Sequence, residues 1–430
     1  MYRERVNPKS EFDFSGRKRG RINLYTFALA SFIIAVAPWH NAAAQEGNND
    51  KFLFLADTQF FLTISNLDGG SNILGGNANA TLAPTYRLND KNVIIGLYSG
   101  AYAHEKQAFV EDRGSRIASE TMTNSLTPTL RHEYSDKLTL NVLAFRTQVL
   151  SKETTDENWY KGLYDYNDNG GGFNGVYIVN ESDDEKRTVS FGLQYYKREY
   201  PHFISLYTQA GLGDLEEKEK DQNAMLLIAG YDVIRNSGLS YSLSVSQLAK
   251  SYIDKKIELE TGERSGDKQK DTDYLVSGSF SYRKEGSVSM DLDWSVGKTE
   301  SNQNLAEGTL PNIVFHKNYY GNDSYSMTPG LTYSMMLENG KPLTLKASVL
   351  ISRVTFTERL TRDANGVLTD IKELDNTHMI MVGAYYSVND NLTTGFLLNH
   401  LRANSNNQYE TFYRYNYEIL NVSAGIQYHY

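Results

Sequence analysis

The chain has 430 residues, rich in aromatics (Tyr 31, Phe 18, Trp 3), with Gly 33, Pro 8 and no cysteine, and carries a formal net charge of −9. The missing cysteine excludes disulfides, thiolate metal sites, a cysteine nucleophile and a cysteine-borne lipid anchor. A mean hydropathy of −0.50 excludes a bundle of membrane helices, but not a membrane barrel, half of whose strand residues face a polar lumen.

The N-terminal segment reads as a secretion signal. Arg17-Lys18-Arg19-Gly20-Arg21 is a basic leader, Ile22 to Trp39 is apolar, and Ala42-Ala43-Ala44 forms a small-residue cleavage site before Gln45. Cleavage after residue 44 removes seven basic and three acidic residues. It leaves 36 basic against 49 acidic, a net −13, which argues against nucleic acid as a partner. Residues 45–51 are then a short periplasmic lead-in to one domain spanning 52–430.

After Gln45 no stretch shows a capped amphipathic helix. Period-two patterns appear instead, beginning at about 52–64. Polar turns punctuate them roughly every 50 residues: 88–91, 135–137, 182–185, 236–238, 284–286, 338–340 and 389–391. Asn and Gly tolerate positive φ, and Asp and Ser bond their own backbone, so these are turns for a chemical reason. Longer polar segments alternate with them, at 104–120, 151–170, 213–222, 254–271 and 299–322, and read as loops.

The alternation is clearest in the C-terminal half. Tyr274, Val276, Gly278, Phe280 and Tyr282 share one face of a strand, with Ser277, Ser279, Ser281 and Arg283 on the other. Val288, Met290, Leu292, Trp294 and Val296 likewise oppose Ser289, Asp291, Asp293 and Ser295. Seven hairpins, with a first strand near 52–64 and a last near 417–430, make sixteen strands; one misread loop would make fourteen or eighteen. "LAPTYR" (82–87), "LTPTLR" (126–131) and "MTPGLT" (327–332) recur just before short turns. Their prolines, Pro84, Pro128 and Pro329, fall on the apolar face and are expected toward one rim, where a lost ladder donor costs least.

A soluble β-sandwich also alternates, but has no reason to keep short turns at one end and long connections at the other. An all-β, transmembrane, antiparallel up-and-down barrel predicts that asymmetry, and an even strand number puts both termini on the periplasmic side. The last ten residues, "NVSAGIQYHY", alternate Val422, Ala424, Ile426, Tyr428 and Tyr430 with polar positions. This ending resembles the C-terminal signal of Gram-negative outer-membrane β-barrels. That family usually ends on Phe, where Tyr430 stands here. The hairpin "SLTPTLRHEYSDKLTL" (125–140) is similar in style to β-barrel porins associated with extracellular polysaccharide export. The resemblance implies location in the outer membrane, contact with its lipid and lipopolysaccharide, and recognition of the last strand by the barrel-assembly machinery.

The residues assign no catalytic group. "DYNDNGGG" (165–172) begins like a calcium loop, but its twelfth position is Val176, so it reads as an external loop. The eight histidines show no metal-ligand spacing, and no serine elbow, phosphate loop or zincin motif is present; no metal, cofactor or enzymatic activity is expected. Arg87, Arg131, Glu133, Asp232, Arg283, Asp291, Asp293, Lys346 and His429 are expected to line a wet lumen, and their mixed signs imply weak ion selectivity. The expected function is a pore for small hydrophilic solutes or a secreted polysaccharide. The alternatives are a surface-interaction or structural barrel plugged by residues 200–222, and an outer-membrane hydrolase built across the external rim. Oligomeric state is not legible.

Overall fold

The computed structural model describes residues 51–430, apart from 68–71, 110–115, 155–156, 204–217, 284–287, 308–313 and 410–415. The signal segment and the core of the plug candidate lie outside the described residues. In chain order the strands are β1 (Phe52–Leu67), β2 (Ile73–Asn89), β3 (Asn92–Phe109), β4 (Arg116–Ser135), β5 (Leu138–Thr154), β6 (Tyr166–Glu181), β7 (Glu185–Glu199), β8 (Gln222–Arg235) and β9 (Leu239–Glu258). They continue as β10 (Arg264–Arg283), β11 (Val288–Ser301), β12 (Leu305–Glu307), β13 (Val314–His316), β14 (Asn322–Met336), β15 (Pro342–Arg362), β16 (Leu368–Ser387), β17 (Leu392–Ser405) and β18 (Tyr417–His429). Sixteen of them form one closed antiparallel barrel in which each strand pairs with its neighbours in the chain and β18 pairs with β1. The short β12 and β13 pair only with each other, within the connection from β11 to β14. No helix occurs among the described residues.

Six of the seven expected short turns join consecutive barrel strands, and the seventh, 284–286, is flanked by β10 and β11 but is not itself described. Their chemistry is local. Asn89 Oδ1 accepts from the Lys91 amide at 3.0 Å, and Asn389 Oδ1 accepts from the amides of Asn391 at 2.9 Å and Leu392 at 2.7 Å. Gly238 and Gly340 take φ of 84° and 74°, which a side chain would disfavour.

The long connections differ from expectation. Residues 104–120 and 254–271 are mostly strand: β9 and β10 run on until only five residues, 259–263, separate them. The "DYNDNGGG" segment is strand β6 from Tyr166 onward, not an external loop. The reason is that strands continuing past the apolar zone have water on both faces. Their two-residue hydrophobic period disappears while backbone pairing persists.

The prolines also depart from expectation. They lie within the apolar zone rather than at its rim; Pro329 is midway between Tyr333 and Tyr325. Each keeps one neighbour in register (Pro84↔Phe54, Pro128↔Gly96, Pro329↔Leu292). On the other side, two pairings are missing at each, although the register resumes unchanged beyond. A closed sheet thus absorbs a lost donor as a local gap on one side of the strand.

Candidate functional site: the lumen wall

Register propagates face identity around the barrel. Arg87 stands opposite Val93, which stands opposite Arg131; Asp232 stands opposite Ser242, then Ser279, then Asp293. Asp291 pairs with Ser281, Arg283 with Ser289, Lys346 with Thr332, and His429 with Asp57. With Glu133, two residues from Arg131, all nine residues singled out above share one face. That face is the concave one. Phe61 on β1, which belongs to it, approaches within 3.2 Å of an ideal Cβ on Gly395 of β17, across the intervening β18. Only inward-pointing side chains converge in this way.

The convex face is apolar over a limited height. On β10 it runs from Tyr282 to Tyr274, and on β14 from Tyr333 to Tyr325. Eight residue steps cover about 26 Å along a strand, or about 20 Å of height at a tilt of ~40°. Leu62, Ile64, Leu126, Val142, Met290, Val296, Ile380 and Phe396 are exposed on this band. Tyr134, Tyr177, Tyr282 and Tyr333 mark its short-turn edge, and Tyr195, Tyr274 and Tyr325 the other. One step beyond the latter the outward positions turn polar: Arg146, Asn169, Lys197, Asn223, Lys298, Asp323, Arg353 and Glu418.

Inside, the wall has three storeys. Near the short turns both signs of charge occur. His429 Nδ1 lies 2.6 Å from Asp57 Oδ2, and Arg131 Nη2 donates to Glu133 Oε1 at 3.2 Å. The middle storey is mostly uncharged, with Asp232 and Asp293 standing on either side of the Ser242–Ser279 pair. Its hydroxyls and amides bond sideways between strands: Ser242 to Ser279 at 2.7 Å, Ser244 to Ser277 at 2.7 Å, Ser295 to Ser326 at 2.8 Å, Ser125 to Thr147 at 2.9 Å, and Asn421 to Asn399 at 2.8 Å.

Above, charges return as internally matched pairs that sequence reasoning missed. Arg198 on β7 donates from Nε and Nη2 to both oxygens of Asp168 on β6, each at 2.8 Å, with its guanidinium 4.0 Å from the Tyr166 ring centre. Lys250 Nζ lies 2.5 Å from Asp273 Oδ2, and Thr299 Oγ1 donates to the other oxygen at 2.8 Å. Glu373, only 1% exposed, accepts from Arg359 Nη1 at 3.3 Å and Asn407 Nδ2 at 3.0 Å. Burial pushes the Glu373 carboxyl above the usual carboxylate range, outweighing the Arg359 charge that pulls it down. Tyr252 donates to Asp271 at 3.0 Å, and burial together with that carboxylate raises its phenol. These partners are 14 to 34 residues apart in sequence, so only the register could have paired them.

The five residues of the C-terminal pattern lie outward where strand parity applies: Val422, Ala424, Ile426 and Tyr428 are on the convex face of β18. Tyr430 exchanges backbone hydrogen bonds with Ala56, donating at 2.8 Å and accepting at 3.0 Å. No group of His, Asp and Glu able to hold a metal occurs among the described residues.

Neither the family models nor the curated proteins compared with this chain give a match. Among solved structures the chain is similar to OccAB1 of Acinetobacter baumannii (TM-score 0.48, 8% identity, covering 90% of this chain and 99% of that one). It is also similar to OmpT of Vibrio cholerae (0.44, 11%, 90% and 100%) and to Salmonella typhi OmpF in complex with daunomycin (0.43, 12%, 89% and 99%). Likenesses this distant carry no information on what the chain binds or conducts.

Proposed function

We propose that this protein is an outer-membrane pore for small, uncharged hydrophilic solutes, with both termini on the periplasmic side. The observation that carries the reading is the inversion of polarity across a closed wall. The convex face is apolar and edged by tyrosines, and the concave face is hydroxyl- and amide-rich. In water such a barrel would expose its apolar face and solvate its core; in a bilayer every strand group has the partner it needs. Sixteen strands leave room for an aqueous channel. A middle storey dominated by hydroxyls and amides, interrupted by the carboxylates of Asp232 and Asp293, favours solutes that offer hydrogen bonds over highly charged ones. No catalytic role is part of this reading, and a secreted polysaccharide is the longer member of the same solute class.

Single-channel conductance of the refolded protein in a planar bilayer under a salt gradient tests it. The expected result is steady steps with weak ion selectivity, followed by uptake of neutral solutes into loaded vesicles. Folded, inserted protein that gives no steps would sink the pore.

A further inference from the structure

The polar row above the convex apolar band is not uniform. On β7, Lys197 is neutralised by Glu199 at 2.5 Å, and on β11, Lys298 by Glu300 at 2.6 Å. Across β15 to β18 the balance is lost. Arg353 faces outward on β15, one diagonal step from His378 on β16. His378 stands directly opposite Arg402 on β17, and His400 lies two residues from Arg402 on the same face. All four are exposed. Of these, only Arg402 and His400 reach a carboxylate, Glu418, which lies 3.4 Å from Arg402 Nε and 3.8 Å from His400 Nε2. Arg353 closes no ion pair among the described residues, although Asp323 on β14, opposite Lys298, stands one diagonal step from it through Thr355.

We infer that this patch is a docking site for an anionic, phosphomonoester-bearing lipid headgroup of the outer leaflet, an inference that rests on the membrane reading above. Three features converge on that occupant. The patch sits one row above the apolar band, at the height where headgroup phosphates begin. Directly beneath it Ile351, Ile380 and Leu398 give acyl chains an apolar wall, with Ile380 53% exposed. Arginines on adjacent strands match phosphate oxygens in geometry and remain charged at any physiological pH. A soluble anion would find the same charges without the wall, so a lipid carries the larger share of contacts.

The test uses the full-length folded barrel in neutral detergent, with native mass spectrometry reading bound lipid. The probes are lipid A bearing two phosphates, phosphatidylethanolamine and inorganic phosphate. Wild-type protein is expected to retain lipid A at concentrations at least tenfold lower than phosphatidylethanolamine. Arg353→Gln with Arg402→Gln should weaken lipid A retention roughly ten- to thirtyfold, about fivefold per charge. Arg353→Lys with Arg402→Lys should keep most of it, and Lys197→Gln with Lys298→Gln should leave it within about twofold. Equal retention by the glutamine pair, equal loss in the Lys197/Lys298 control, or displacement by millimolar inorganic phosphate would each overturn the site. Insertion into phosphatidylcholine vesicles is measured in parallel. Failure to insert would remove the membrane reading itself, whereas insertion with unchanged lipid A binding would remove only the headgroup site.

Discussion

Glu373 shows what a single lumen carboxylate contributes. It is buried between Arg359 and Asn407, and burial holds its proton above the usual carboxylate range. A carboxyl raised in the folded state stabilises that state fully below its unfolded pKa. The contribution is lost as pH rises through the folded value. We expect amides of the 359–373 hairpin to exchange faster as pH climbs through and above the usual carboxylate range, after correction for intrinsic rates. Glu373→Gln should flatten that dependence; an unchanged profile in the variant would assign it elsewhere. Asp165 makes the complementary point. Its Oδ1 accepts from the Ser151 amide at 2.8 Å and its Oδ2 from the Gly162 amide at 3.1 Å, closing the connection between β5 and β6. Read in sequence, Asp165 and Asp168 belonged to an external loop. In the fold one is a backbone latch and the other an arginine's partner, because the strand starts between them.

At the scale of elements, the seam between β1 and β18 depends on a missing side chain. A Cβ on Gly425 would sit 2.0 Å from the Phe60 carbonyl oxygen and 2.7 Å from the Phe61 ring. The first contact is backbone and has nowhere to move. Gly425→Val should therefore cost about 1–3 kcal/mol and lower the urea midpoint of the folded, heat-modifiable form. Gly340, in the turn between β14 and β15, has nothing within 4 Å of its ideal Cβ but a φ of 74°. Gly340→Ala should cost only the conformational penalty, about 1 kcal/mol. If the two variants lose equal stability, the seam is not sterically limited. The short turns and the strands of the apolar zone were legible because each carries local chemistry, such as the Asn389 side-chain bonds or the Ser/Val alternation of β9. The upper halves of the strands were not, since water on both faces erases the period by which a strand is recognised.

For the whole molecule, the charge pattern of the wall sets what passes. The matched pairs of the upper storey leave little net field, so the unpaired charges lower down, of both signs, set what selectivity there is. Asp291 and Asp293 face inward without an ion-pair partner among the described residues. Replacing both with Asn should shift the reversal potential under a salt gradient toward anions, changing the permeability ratio roughly twofold, with little change in step size. A large fall in conductance would mean that these residues narrow the channel rather than polarise it.

Sequence alone determined the class of architecture and the strand count, because strand parity and turn chemistry are local and survive without any partner. It placed Arg87, Arg131, Asp232 and Lys346 on one face simply by counting in twos. The tertiary structure decided which charges meet, where the prolines sit relative to the apolar band, and how the convex surface divides into neutralised and cationic sectors. Each of those depends on register between strands tens of residues apart, set by closure of the whole barrel and carried by no single segment.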